Sequence, residues 1–344
     1  LVIPASNEKI VTAIGAFNLL NLDEQLHTDL VATGPIDQGV LHGDLVLVGG
    51  GDPVLTRVGP DSLDALAQRA SDAGLKEVDG RLLVDESRYD TARTGQNWPS
   101  DWLYSIGPMS ALGVDHNMIT KDTSYVADPA IGNGAVMRFG LGAHGIDVHG
   151  GVEHGRADQG VRLAEVDSPP IRSLLATMLM FSDNFIAELL TKEIGLRQTH
   201  QPGTTAAGLD AIHAVITNLC VPITGITFDG SGLSRDDKRS ARELRRLLQV
   251  AELQPWGDDF VSSLSIAGEQ DALAGRLAGP VTAGKVRAKG GFLFAAKSLS
   301  GYLTTTDGRR AFFSIILNGD LSSPKNKAEV AIDDFLTTIA SLPP

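Results

Sequence analysis

The first twenty residues and the residues after 167 share a helical rhythm that the stretch between them lacks. Ile10, Val11, Ile14, Phe17 and Leu20 recur at the spacing of one helix face, so the segment after Pro4 predicts a single helix. From Thr28 to about Asp167 the apolar residues come instead in short runs broken by glycine: Gly43 to Gly49, Gly80 to Asp85, and Ala135 to Phe139. Such runs between turn residues predict strands, with one amphipathic helix, about Ser62 to Ala73, among them. Helical texture returns at Ser168-Pro169-Pro170, where a serine cap followed by proline predicts a helix start. It pauses at Ser182-Asp183-Asn184, resumes from Phe185 to about Gly195, and recurs over 204–219 and 240–253. Lys285 to Ala288 predicts a strand. Ser300 to Thr305 and Ala311 to Leu317 predict a hairpin around Asp307-Gly308, and a last helix covers about Lys325 to Ala340. Two ends that share a texture foreign to the middle imply one discontinuous domain interrupted by an insertion. The expected class is α+β, with 1–27 and 165–344 forming one domain. Residues 28–164 are expected to form an inserted strand-rich region of one or two small domains.

Composition narrows the partners. The net charge of −13 repels nucleic acid and anionic membrane surfaces, and no block of Lys or Arg marks a nucleic-acid footprint, so no nucleic-acid partner is expected. No apolar run reaches the ~18 residues of a membrane span. No signal peptide or anchor is present in this chain, and Leu1-Val2-Ile3-Pro4 reads as the middle of an element. The one cysteine, Cys220, excludes an internal disulfide and a thiolate metal cluster; between Leu219 and Val221 it is expected to pack in the core. His144, His149 and His154 recur every five residues, which alternates the faces of a continuous strand and lacks the carboxylate pattern of a zinc site. No metal is expected. Gly49-Gly50-Gly51 has no following Gly-Lys-Ser/Thr and predicts a turn, not a phosphate loop. Trp98, Trp102 and Tyr104 are expected to pack the middle region.

Three short motifs carry the chemistry. Ser6-Asn7-Glu8-Lys9 puts a hydroxyl and an ammonium on one face of a helix start. A serine hydroxyl needs a base to become a nucleophile, a lysine of depressed pKa can be that base, and the free N–H groups of a helix start favour developing negative charge. Ser182-Asp183-Asn184 lies between two helices, and Lys289-Gly290-Gly291 ends a strand. Each is common alone. In this order, on these elements, they approach the Ser-x-x-Lys, Ser-Asp-Asn and Lys-Thr-Gly set of class A β-lactamases and penicillin-binding proteins, with a gap between the first two long enough to hold the inserted region.

Five blocks then point to one family: Pro4-Ala5-Ser6-Asn7-Glu8-Lys9, Gly43-Asp44-Leu45 with Gly49-Gly50-Gly51-Asp52-Pro53, Ser182-Asp183-Asn184, Asp229-Gly230-Ser231-Gly232-Leu233-Ser234, and Ser298-Leu299-Ser300-Gly301-Tyr302. From residue 4 to about 318 the chain resembles the class C low-molecular-mass penicillin-binding proteins, the penicillin-binding protein 4 type of D-alanyl-D-alanine carboxypeptidase/endopeptidase. The resemblance implies a penicillin-recognising domain: an antiparallel sheet flanked by helices, with the inserted strand-rich region beside it. It implies that Ser6 attacks the carbonyl between two D-alanines, that Lys9 takes its proton, and that Ser182 relays a proton to the leaving amine. Asn184 would hold Lys9 and the substrate amide, and Lys289 would supply positive potential. The backbone N–H groups of Ser6 and Phe292, with Gly290 and Gly291 leading into the latter, would line the substrate and oxyanion site. Peptidoglycan stem peptides and β-lactams are the implied ligands, no cofactor is needed, and the implied location is extracytoplasmic. Ser6, Lys9, Ser182 and Asn184 are expected to converge within hydrogen-bond distance.

The chain departs from the family where the substrate's carboxylate is received. Gly290 replaces the usual threonine and Phe292 a usual small hydroxyl residue, removing two donors from an anion site. Gly268-Glu269-Gln270-Asp271 is a second departure, where an Asp-Gly pair is usual. Two readings follow: a peptidase with weak carboxylate recognition, suited to crosslinks, or a non-catalytic relative that binds wall peptides or a partner. An acid-base β-lactamase is a third, and the sequence identifies no deacylating base for it.

Overall fold

The computed structural model describes residues 1–118, 127–269, 273–293, 295–319 and 327–342. The first helix, Glu8–Leu19, lies at the centre of a helical core, with Ile10, Val11, Ile14 and Phe17 all buried. Around it pack helices Ile171–Met180, Asn184–Thr199, Thr205–Asn218, Ala241–Glu252 and Gly257–Ser262. Each Leu, Ile or Phe taken from water there is worth roughly 1.5–3 kcal/mol. Gly15 lets the first helix approach closely: a Cβ on it would sit 2.5 Å from Ile212 Cγ1. Asp183, Thr204 and Ser240 cap their helices by accepting from the N–H of Ile186, Ala207 and Glu243.

A four-stranded antiparallel sheet, in the order Ser265–Ile266, Val286–Leu293, Ala296–Thr304, Arg310–Asn318, stands beside these helices. Strand alternation divides its side chains between two faces. Tyr302, Phe312 and Ile316 join the helical core, while Leu299, Leu303 and Phe313 pack with Ile332, Leu336 and Ala340 of the last helix, Lys327–Ala340. The sheet is therefore covered by helices on both faces, as expected.

Between the two ends, a five-stranded sheet runs Val152–His154, Leu82–Asp85, Leu45–Val48, His27–Ala32, Val161–Asp167. The first three strands are parallel, and the last two join antiparallel. A small sheet of two-residue strands, Ile36–Asp37, Val40–Leu41, Glu77–Val78 and Asp147–Val148, lies at its end. Both share an apolar core with helices Leu63–Asp72 and Pro129–Ala143. A smaller apolar cluster brings Tyr89, Trp98, Ile106 and Met109 against Phe185, Leu189 and Leu233.

Several expectations change. Ala135 to Phe139 is helical, inside Pro129–Ala143. Asp128 caps that helix and Pro129 opens it, and the buried positions Ala130, Asn133, Gly134, Met137 and Leu141 keep a helical spacing that the interspersed glycines conceal. Among the described residues, the middle region thus holds two α-helices as well as strands. Pro170, not Ser168, stands at the helix start; the Ser168 hydroxyl instead accepts from Leu26 N–H at 2.9 Å, fastening the returning chain to the departing one. Cys220 is exposed, with φ of 57°, because it occupies the left-handed position beyond the end of helix Thr205–Asn218. Helix Gly257–Ser262 was not expected; Phe260 and Trp256, edge-on to one another, pack on Phe17 there. Trp98 and Trp102 pack together at 5.5 Å, whereas Tyr104 is exposed. No described helix is long and apolar enough to cross a membrane.

Candidate active site

Ser6 sits in a single 3-10 turn, Ala5–Asn7, that leads into helix Glu8–Leu19. Ala5 adopts a left-handed backbone, φ 51°, a strained state that clusters at functional sites. Gly232 is held against it: a Cβ there would lie 2.0 Å from Ala5 O. One helical turn after Ala5, the Lys9 ammonium is fully buried and donates to Ser6 Oγ at 3.1 Å, Asn184 Oδ1 at 2.6 Å and Ser231 O at 2.7 Å. Burial lowers its pKa to about 8, although Asp229, Asp183, Glu188 and Glu8 favour the charged form. A neutral amine close to a serine hydroxyl at mildly alkaline pH is a competent general base.

Asn184 opens helix Asn184–Thr199, and its Nδ2 donates to Ser105 O at 2.8 Å. Ser182 does not join this set. Its backbone is left-handed, φ 60°, Asp183 takes the capping role, and the Ser182 side chain makes no hydrogen bond among the described residues. Ser6, Lys9 and Asn184 converge as expected, whereas Ser182 takes no part in their hydrogen bonds.

Lys289 lies on strand Val286–Leu293, and the strand places it beside the same turn: Asn7 Nδ2 donates to Lys289 O at 2.8 Å. Its ammonium is 1% exposed, donates to Gly290 O at 2.8 Å, and has no ion-pair partner among the described residues. Burial first, then the charge of Lys9, push its pKa well below the ordinary lysine value. Burial without an ion-pair partner disfavours the charged amine, and a docked anion would favour it again.

The two glycines after it do different things. A Cβ on Gly291 would lie 2.3 Å from Ser298 Oγ and 3.0 Å from both Pro4 O and Ser6 N. The strand can pass the Ser6 N–H only without a side chain there. If Ser6 is the residue that is acylated, Gly291→Ala should slow that step by about tenfold or more, since small displacements at a reacting centre are amplified; stopped-flow labelling with a fluorescent penicillin would measure it. Over Gly290, by contrast, the nearest side-chain atom to an added Cβ is Leu299 Cδ1 at 4.0 Å. Phe292 is 63% exposed, with Lys297 Nζ 4.1 Å from its ring centre. Phe292 and Ser105 also line a cleft of about 640 Å³ with Pro99, Asp101, Leu233 and Leu293.

The supports of Lys9 were not assigned a role from sequence. Ser231 accepts through its carbonyl, and Glu188 Oε1 accepts from the N–H of Gly230 and Ser231 at 3.0 and 2.8 Å. Beneath the turn, buried Arg239 grips Glu8 through two bonds of 2.9 and 2.6 Å and Glu243 at 2.6 Å. His144, His149 and His154 do not meet; each pairs with a different carboxylate, Asp64, Glu77 and Asp128. Of the second departure, Gln270 and Asp271 lie outside the described residues.

The chain matches the D-Ala-D-Ala carboxypeptidase 3 (S13) family over residues 1–125 and 119–339. It belongs to that family. This S13 chain is 30% identical to the D-alanyl-D-alanine carboxypeptidase of Actinomadura sp., over 97% of this chain and 76% of that protein. It is also 30% identical to a carboxypeptidase of Mycobacterium tuberculosis, over 92% and 71%. In structure it is similar to penicillin binding protein 4 of Haemophilus influenzae, with a TM-score of 0.88 at 23% identity, covering 99% of this chain and 92% of that one. The S13 chain therefore has the penicillin-recognising fold, and it is a serine-type D-Ala-D-Ala carboxypeptidase of the penicillin-binding protein 4 type.

Proposed function

We propose that this chain cleaves D-Ala-D-Ala ends of peptidoglycan stem peptides, and crosslinks between stems, through an acyl-enzyme on Ser6. The observation that carries the reading is Lys9, buried, pushed down to about 8 and 3.1 Å from Ser6 Oγ. Lys9 accepts the Ser6 proton as Oγ attacks the carbonyl between the two D-alanines. The N–H groups of Ser6 and Phe292 receive the oxyanion, where fixed donors act on the charge as it forms. Ser182 passes a proton to the leaving amine, and water releases the acyl group. β-Lactams stop at the acyl stage. In support, one solved Haemophilus relative carries a β-lactam, and a Bdellovibrio relative described as a predatory endopeptidase is acylated by penicillin G. Substrate of this kind lies outside the cytoplasm, and we place the protein there. We also propose that 28–164 is an inserted unit, since its apolar side chains form a core of their own.

Without a hydroxyl on Gly290 or Phe292, Lys289 is left as a point charge for the substrate carboxylate, which orients a ligand less than a fork of donors does. We expect weak selection for a free terminal carboxylate, so that crosslinked stems compete well with D-Ala-D-Ala ends.

The test is covalent. The protein incubated with a fluorescent penicillin should gain one acyl group by intact mass, mapped to Ser6 and missing from Ser6→Ala. No adduct at high penicillin and long times would favour a wall-binding role without catalysis.

A second expectation concerns Lys289. Its depressed pKa must rise when a carboxylate docks against it, so binding takes up a proton, at most about one. Titration calorimetry of Ser6→Ala with a D-Ala-D-Ala peptide, in two buffers of different ionisation heat, should give heats that differ; equal heats would refute it.

A further inference from the structure

Apart from Ser6, Lys9 has two acceptors, and one segment of the middle region reaches the supports of both. Asn184 turns Oδ1 toward Lys9 while its Nδ2 donates to Ser105 O at 2.8 Å. That bond fixes which end of the amide faces the lysine. Ser231 offers its carbonyl because its loop is wrapped around the Asp229 carboxylate, which accepts from the N–H of Ser231 at 3.1 Å, Gly232 at 2.6 Å and Ser234 at 2.6 Å. A fourth donor comes from outside the loop: the indole Nε1–H of Trp98, at 2.7 Å, itself only 9% exposed. Trp98 and Ser105 bracket the turn Trp102–Tyr104, and the segment also lines the cleft beside Phe292 through Pro99 and Asp101.

We propose that the segment Trp98–Ser105 is a positioning element of the Ser6 centre. Through Ser105 it orients Asn184, and through the Trp98 indole on Asp229 it sets the potential at Lys9. The inference rests on Lys9 being the base. A substrate lying in the cleft would touch the element that holds the base's partners, which couples binding to proton transfer.

The groups acting on Lys9 come from each neighbour: Glu8 on its own helix, Asp183 and Glu188 from the helix Asn184–Thr199 and its cap, Asp229 from the loop, and Lys289 from the strand. Asp229 is the largest of those that favour the charged form. The positive end of the indole dipole faces Asp229 and offsets part of its charge. Removing that donor leaves more negative potential at Lys9, so the amine keeps its proton to higher pH and acylation at neutral pH slows.

The experiment uses two substitutions. Trp98→Phe keeps a ring beside Trp102 and loses the donor; Trp98→Gln loses the ring and keeps an N–H donor. Acylation by fluorescent penicillin is followed from pH 6 to 10, with folding checked by circular dichroism. In Trp98→Phe the midpoint should rise by about half a pH unit and the rate at pH 7 should fall by about threefold; in Trp98→Gln the midpoint should stay near wild type. A Trp98→Phe midpoint equal to wild type, beside an acylated wild type, sinks this inference alone. A Trp98→Gln midpoint that moves as far as or farther than that of Trp98→Phe also sinks it, because packing would then account for the effect. If Trp98→Phe does not fold, a shifted midpoint in a folded Trp98→Gln decides against it and an unshifted one supports it. A wild type that takes no acyl group at any pH sinks the Ser6 reading, and this inference with it.

Discussion

Lys9→Met should slow acylation of Ser6 by about a thousandfold, within the roughly 10²–10⁴ range of a lost general base. Methionine matches the length of the lysine stem and fills the same buried space, but it cannot take a proton. The pH dependence separates this from a packing effect. In the wild type, Lys9 must be neutral to act, so the rate climbs as pH rises through about 8. In Lys9→Met that limb should be absent and the residual rate nearly flat from pH 7 to 9. The fold should survive. Losing a buried ammonium relieves desolvation, while Asn184 Oδ1 and Ser231 O each lose a donor at about 1–3 kcal/mol. These oppose, so the melting temperature should move by only a few degrees. A Lys9→Met protein that labels within tenfold of wild type would remove Lys9 from the mechanism.

The second large effect is on stability. Arg239, Glu8 and Glu243 form an ion triad with every member nearly or fully buried. Arg239→Met strands two carboxylates away from water, and breaking a buried pair from one side costs about 3–5 kcal/mol. At roughly 2–4 °C per kcal/mol, melting should fall by about 6–20 °C. Adding Glu8→Gln should recover part of that loss, because a neutral amide no longer needs the guanidinium; Glu243 keeps its bonds from Thr224 and Gly225. Calorimetry of the single and double variants would decide it. A double variant no more stable than Arg239→Met would mean that packing, not charge, is what Arg239 supplies. Since Glu8 lies between Asn7 and Lys9, the single variant should also disturb labelling of Ser6.

Much of this was legible in the residues. The spacing of Ile10, Ile14 and Phe17 marks the central helix, and the order of the Ser6, Ser182 and Lys289 motifs marks the site. Helix Pro129–Ala143 was not legible, because glycines at 132, 134, 140 and 142 hide its periodicity and the apolar run at its centre mimics a strand. Helix Gly257–Ser262 is too short to show a period. At the site, sequence names side chains well and backbone groups poorly. The Ser231 carbonyl and the Ser105 carbonyl hold Lys9 and Asn184 whatever side chains those two serines carry. Ser182 has a left-handed φ that no neighbouring residue announces. The Arg239 triad joins residues far apart in the chain and needs the fold to assemble it.

The position of the first helix also sets an order of events. It leaves the ribosome before the helices that cover it, which come after residue 170, and before the strand that passes Ser6, which begins at Val286. At about 5–20 residues per second, tens of seconds separate making Ser6 from finishing the pocket around it. The middle region can bury its own apolar residues within that interval. Ser6 is thus made well before its surroundings are complete, and a chain halted before the sheet is finished carries the hydroxyl and the amine without the strand that passes beside them.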